Sequence, residues 1–240
     1  MNNLAQHKQL FENKGFDIVG DVYDAASIDT IIAAIQQADT NRPTFRRSAD
    51  LFAIRRFLHE IPQVLPLLLN ENMRKLITEI MGPDYFIVKS IFFDKPAGSN
   101  WYVSYHQDLT ISVDNRQELA GFGPWTVKTN QFAVQPPLAY LQNIVTLRIH
   151  LDVTTANNGA LRVIPGSHKQ GVFRPENIDW STTSESTCEV PAGGVMLMKP
   201  LLLHSSGRTT NEQQRRVIHI EFSNMALPSS INWAEKITLQ

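Results

Sequence analysis

The sequence predicts an α+β protein, mainly β with helices. A helical N-terminal part of about residues 1–82 precedes a strand-rich core of about 83–225 and a tail of 226–240. Three observations lead there. Residues before 82 carry apolar side chains at helical spacing, the chain after Tyr85 is rich in β-branched and aromatic residues, and two strands alternate between apolar and polar positions. The 240 residues suit a single domain able to bury a large core, and no repeat, low-complexity tract or linker divides them.

Residues 15–19 read as a short strand entered from a helix end. A helix is expected over 25–38, where Ile28, Ile31, Ile32 and Ile35 recur at helical spacing and Asp24 or Ser27 can cap the first turn. A second is expected over 62–81, with Leu65, Leu68, Leu69, Leu76 and Ile80 apolar and Pro66 tolerated in its first turn. Gly82-Pro83-Asp84 ends it. Strands are expected at 86–93, 101–108, 143–152, 160–164, 195–198, 201–205 and 215–222. Residues 112–137 show little periodicity, and an insertion of that length suggests a lid.

Two strands define an interior. Val145, Leu147, Ile149 and Leu151 alternate with Thr146, Arg148, His150 and Asp152. Later, Ile218, Ile220 and Phe222 alternate with Arg215, Val217, His219 and Glu221. Successive strand side chains point to opposite faces, so helices covering the apolar faces turn the polar faces toward a shared interior. That arrangement suits a double-stranded β-helix, a cupin-like jelly roll, flanked by N-terminal helices.

The polar interior has a chemical candidate. His106 and Asp108 lie two apart on an expected strand and share a face. Alone, such a pair also fits a capped or ion-paired surface site. With a distant second histidine, an imidazole and a carboxylate can form a facial triad that leaves three coordination positions open. His204 follows a strand and precedes the turn-like stretch Gly207-Arg208-Thr209-Thr210-Asn211. If the next strand returns as a hairpin, Arg215 falls roughly opposite His204, where its guanidinium can grip a carboxylate bidentately. Ser206 shares the face of His204 and can add a hydroxyl.

These residues, with Asn158-Gly159-Ala160-Leu161-Arg162-Val163-Ile164-Pro165-Gly166-Ser167-His168-Lys169 between them, resemble the phytanoyl-CoA dioxygenase family of iron(II)/2-oxoglutarate oxygenases. The resemblance runs from about Phe11 to the C-terminus. It implies a double-stranded β-helix with iron held at His106, Asp108 and His204, 2-oxoglutarate as co-substrate and O2 as oxidant. It puts the distal carboxylate of 2-oxoglutarate on Arg215, with Ser206 as hydroxyl helper. Lys89 and Ile91 share a strand face that the family points at the co-substrate, and Arg148 stands where the family has a pocket-lining residue. Thr146 is a further pocket candidate. The presence of Asp108 fits hydroxylation, whereas a small residue there would suggest halogenation.

Other readings stay open beside these. Arg148 could instead form a buried ion pair with Asp152 or Glu221. His150 and His219 also face inward and are rival ligands. His168 is expected to be structural, and Gly159 and Gly166 to permit tight turns. Trp101, Phe122 and Trp125 fit either the mouth of the pocket or ordinary core packing.

Composition narrows the function. One cysteine, Cys188, allows no internal disulfide and suits a reducing compartment. The net charge of −1 gives no electrostatic reason to expect nucleic acid or an anionic membrane as partner. The pairs Arg46-Arg47 and Arg55-Arg56, interrupted by Asp50, read as a solvated basic face. No signal peptide or membrane-spanning run is visible, so a soluble, cytoplasmic protein is expected. The expected activity is oxidation of a C–H bond in a small organic molecule, with decarboxylation of 2-oxoglutarate to succinate. Inward Arg148 and Lys89 hint at an anionic substrate. The rivals are a non-catalytic jelly-roll binding protein and a cupin-type metalloenzyme without 2-oxoglutarate, which would not need Arg215.

Overall fold

Apolar spacing builds the helical layer. In the computed structural model, which describes residues 3–38, 45–48, 52–128 and 131–239, α1 (Leu4–Lys14) leads into β1 (Phe16–Val19). Asp24 caps α2 (Ala25–Gln36) by accepting the Ser27 N–H at 2.8 Å. Ile28, Ile31 and Ile35 are buried along that helix, each stabilising the fold by about 1.5–3 kcal/mol. The N-terminal part is not all helical. β2 (Phe45–Arg47) and β3 (Phe52–Arg55) pair antiparallel before the short α3 (Phe57–Glu60).

The helix expected over 62–81 is divided. A 3₁₀ turn at Pro62–Val64 and α4 (Leu65–Leu68) stop at Leu69, whose ψ of 48° is not helical, and α5 (Glu71–Met81) restarts. The cause is Asn70. Its side-chain oxygen accepts the Met73 N–H at 2.8 Å while its amide donates to the Val22 carbonyl at 3.1 Å. Those bonds compensate the backbone groups freed by the break.

The strands are β4 (Phe86–Lys95), β5 (Val103–His106), β6 (Ile111–Val113), β7 (Trp125–Lys128) and β8 (Gln131–Val134). After α6 (Leu138–Asn143) come β9 (Val145–His150), β10 (Leu161–Val163), β11 (Ser186–Cys188), β12 (Val195–Met198), β13 (His204–Ser206) and β14 (Arg215–Ser223). Among the described residues they form a seven-stranded sheet ordered β1-β12-β9-β14-β4-β3-β2, a four-stranded sheet ordered β11-β10-β13-β5, and a three-stranded sheet ordered β6-β8-β7. The pairings are antiparallel throughout. The expected alternation is realised. Val145, Leu147, Ile149, Ile218, Ile220 and Phe222 join the helices in one apolar core, while Arg148, His150, Arg215, His219 and Glu221 are buried polar residues of the same strands.

Four strand expectations are corrected. Residues 112–137 are not an irregular lid: β6, β7 and β8 pair there over a second core that includes Val88, Ile111, Val113 and Trp233. The strand expected over 101–108 stops at His106, and that over 201–205 is displaced to His204–Ser206. Most important, β13 and β14 are not a hairpin. β13 pairs with β10 and β5, whereas β14 lies between β9 and β4 in the larger sheet. No helix of the described residues is long and apolar enough to cross a membrane.

Candidate metal centre

The metal candidates sit where two short strands of the four-stranded sheet meet. His204 on β13 is the register partner of His106 on β5, so the two imidazoles share a face, with ring centroids 4.2 Å apart. Asp108 lies two residues beyond the end of β5, so strand alternation does not aim its carboxylate. Its N–H donates instead to the Pro200 carbonyl at 2.9 Å, tying it to the loop before His204. Asp108 Oδ1 then stands 3.8 Å from His106 Nε2 and Oδ2 stands 3.7 Å from His204 Nε2. Each ring is oriented through its other nitrogen. His106 Nδ1 donates to the Ser104 carbonyl at 2.8 Å and His204 Nδ1 to the Leu202 carbonyl at 2.9 Å, leaving Nε2 free as a ligand.

The three ligand atoms lie within 4.8 Å of one another. That is near the ~3–4 Å spread that bonds of about 2.1 Å impose on ligands of one ion. Burial pushes the Asp108 carboxyl up, but the charges of His204, His219, Lys89 and His106 outweigh it and hold it well below the usual carboxylate range. Burial pushes His204 down to about 4, so its imidazole is neutral at neutral pH. An ionised carboxylate and a neutral imidazole are the protonation states a metal ion needs.

A cavity of about 200 Å³ opens on this group. Arg215, 3% exposed, lines it, and its Nε and Nη1 are buried without a hydrogen-bond partner. Burial lowers Arg215 to about 9, and it remains cationic at neutral pH. A buried, unpartnered guanidinium is costly unless a bound anion supplies acceptors, so the cavity fits a dicarboxylate with one end at the metal group. Ser206 also lines it, with its hydroxyl donating to the Gly159 carbonyl at 3.0 Å. Gly159 is required there: at φ 86° an added Cβ would stand 2.7 Å from Lys95 Nζ and 2.9 Å from the Gly207 carbonyl.

The remaining candidates divide. Lys89, Ile91, Arg148 and Trp101 line the cavity. Thr146 is buried but outside its lining, directly across from Glu221 in β14. Arg148 pairs with neither expected acid. Asp152 is held by Arg216, which donates Nη2 at 2.7 Å and Nε at 2.9 Å, while Arg148 Nη1 lies 3.1 Å from His219 Nδ1. Glu221 takes Lys89 at 2.8 Å and His219 Nε2 at 3.1 Å. Lys89, Glu221, His219 and Arg148 thus form one polar string along the wall. Burial pushes Glu221 up and Lys89 down, but each charge outweighs that cost for the other, leaving Glu221 below and Lys89 above its ordinary value.

Neither rival histidine belongs to the metal group. His150 is bonded to Thr154 Oγ1 at 2.7 Å, and His219 is taken up in the polar string. His168 is structural as expected, its Nε2 donating to the Glu12 carbonyl at 3.2 Å. Phe122 and Trp125 pack into the second core rather than the cavity mouth. The side chains of Arg46 and Arg47, and Asp50, lie outside the described residues. Arg55 and Arg56 are half-buried beside a second cavity, not on a solvated face. Phe93, Val103 and Leu161 also line the metal cavity. Phe93 was within reach of sequence reasoning, because it continues the every-second-residue face of Lys89 and Ile91.

Known proteins share this architecture. The SnoN epimerase from nogalamycin biosynthesis, a non-haem, α-ketoglutarate-dependent enzyme, superposes with a TM-score of 0.68 at 15% identity, covering 91% of this chain and 81% of its own. HygX from Streptomyces hygroscopicus, solved with nickel, 2-oxoglutarate and hygromycin B, gives 0.63 at 16% identity over 91% and 86% of the two chains. In sequence, 86 residues are 35% identical to the iron/alpha-ketoglutarate-dependent dioxygenase ausO of Aspergillus calidoustus, which is 35% of this chain but only 29% of that protein. The phytanoyl-CoA dioxygenase (PhyH) family model matches residues 11–217. With that match spanning most of its length, the chain belongs to the PhyH family of iron/2-oxoglutarate-dependent oxygenases.

Proposed function

We propose that this protein oxidises a C–H bond of a small organic molecule, with His106, Asp108 and His204 holding iron(II) and Arg215 binding the distal carboxylate of 2-oxoglutarate. One observation carries the reading: the metal group and an unpartnered buried guanidinium line the same 200 Å³ cavity. Iron with 2-oxoglutarate and O2 supplies the oxidising chemistry, the co-substrate leaving as succinate and CO2. The protein supplies placement. Arg215 fixes the far end of the co-substrate, Ser206 lines the cavity from the other sheet, and the string from Lys89 to Arg148 stiffens the wall that carries Arg215. Trp101 and Ile91 give that chamber apolar surface that excludes water.

Hydroxylation is the outcome proposed, because a carboxylate occupies position 108. The relatives support a substrate of natural-product type: SnoN belongs to nogalamycin biosynthesis and HygX was solved with hygromycin B. An intracellular site of action is proposed on the single buried thiol, Cys188. The test is succinate release from 2-oxoglutarate by purified protein with iron(II), screened against fractionated metabolites. A fraction that raises succinate release and gains one oxygen atom in a component supports the reading. Iron binding without succinate from any fraction favours a binding protein, and turnover that ignores 2-oxoglutarate favours a cupin-type metalloenzyme.

A further inference from the structure

A second cavity, of about 400 Å³, adjoins the metal cavity and shares Lys89 and Ile91 with it. It lies where β3 ends. Arg55 is the register partner of Ile91, and the next residue, Arg56, immediately precedes α3. Arg56 has φ 52° and ψ 43°, a left-handed conformation uncommon for any residue with a Cβ. Its neighbours hold it there. The Arg56 carbonyl accepts the His59 and Glu60 N–H groups, both at 2.9 Å, and Phe57 and Leu58 are buried in the core. The Leu58 N–H donates to Ser90 Oγ at 2.9 Å, and that hydroxyl donates on to Glu235. Such a residue, held in a sparsely populated conformation on a cavity wall, points to a functional constraint.

Among the described residues the side chain acts through its charge alone, which favours the ionised form of Glu235 in the same cavity. Arg56 Nε is buried without a partner, and Arg56 forms no hydrogen bond or ion pair through its guanidinium with the described residues. The acids of the same cavity spend their hydrogen bonds elsewhere. Glu235 accepts the N–H and hydroxyl of Ser90, and Asp114 accepts the N–H and side-chain amide of Asn232 at 2.8 and 2.9 Å. We propose that this cavity is the chamber for the primary substrate, and that Arg56 binds an oxoanion group of it, a carboxylate or phosphate. The remainder of the molecule then reaches past Lys89 and Ile91 toward the metal. A guanidinium pairs with either oxoanion in the same planar, two-bond geometry. The role in turnover rests on the oxygenase reading; the anion site itself rests on the cavity and Arg56.

The test is nuclear magnetic resonance of the arginine Nε–Hε groups in full-length protein loaded with zinc(II) in place of iron and saturated with 2-oxoglutarate. Benzoate, phenyl phosphate and uncharged benzyl alcohol serve as probes. One of the anions should shift the Arg56 resonance saturably; by the broadening of the probe's own proton signals, which the variants also report, its affinity should be at least fivefold weaker in Arg56→Gln and about twofold weaker in Arg56→Lys. Whichever anion binds more tightly identifies the group as carboxylate or phosphate. An Arg56 resonance moved by neither anion, or moved as far by benzyl alcohol, overturns the proposal in the wild-type protein without recourse to a variant. The Arg215 resonance reports 2-oxoglutarate separately, so its failure to move on 2-oxoglutarate addition counts against the oxygenase reading alone.

Discussion

Arg215 and His204 belong to different sheets and yet line one cavity. A co-substrate spanning them would tie the two sheets together. Arg215→Ala removes charge-assisted bonds of about 2–3 kcal/mol, so the 2-oxoglutarate concentration for half-maximal succinate formation should rise roughly 30- to 150-fold. Steady-state kinetics at saturating iron checks this, and an unchanged requirement would move the carboxylate clamp to another residue.

His106→Ala or Asp108→Ala should lower iron-dependent turnover by at least about a hundredfold, since two ligands leave an incomplete triad. Titration calorimetry with cobalt(II) should show the matching loss of affinity. Wild-type turnover in either variant would refute the metal assignment.

Glu221→Gln strips Lys89 of its 2.8 Å partner on a buried wall. Breaking such a pair costs about 3 kcal/mol or more, which for a protein of this size lowers Tm by roughly 6–12 °C. Calorimetry of the metal-free protein measures it. A Tm within 2 °C or so of wild type would mean that the string contributes little to stability.

The metal-free fold should weaken as pH falls below about 6.5. Burial, aided by the charges of Arg148 and Arg215, holds His150 well below 6.5, and burial pushes His204 to about 4. Below 6.5 the unfolded chain takes up protons at these positions while the folded chain does not, so each contributes a loss of about 1.4 kcal/mol per pH unit. The loss at His204 levels off near pH 4. Urea unfolding between pH 7.5 and 5 measures the slope, and His150→Asn should reduce it by one proton's worth. A slope unaltered in that variant would show that His150 titrates alike in both states.

Cys188 is buried among Leu161, Val163, Val190 and Met196, and burial pushes its thiol up to about 12. Because the thiolate is the reactive form, iodoacetamide should leave native protein unmodified and alkylate it only in denaturant. Mass spectrometry separates the two cases.

Much of this was legible because alternation is a two-residue code. Val145–His150 and Arg215–Ser223 announced both a core face and a polar face, and type and order singled out His106, Asp108, His204 and Arg215, which line one cavity. Where long-range pairing decided the outcome, local pattern was silent. The sequence sets His204 and Arg215 face to face across a hairpin, but they lie on different sheets and meet at one cavity. The break at Asn70 was masked by continuous leucine spacing on either side of a cap, and the β2–β3 pair is too short to carry a period. Arg56 reads in the sequence only as part of a solvated basic face, because its left-handed backbone and unpartnered Nε exist only once Phe57, Leu58 and Ser90 are packed.

β14 serves two masters along nine residues: Ile218, Ile220 and Phe222 belong to the helix-facing core, while Arg215, His219 and Glu221 line the cavity at the metal candidates. Deleting or inserting one residue there would exchange grease for charge on both sides at once. The length of this strand is therefore frozen even where its side chains can be exchanged. Any drift toward new substrates has to proceed by replacement within β14, or through the connecting loops, whose length no such double duty constrains.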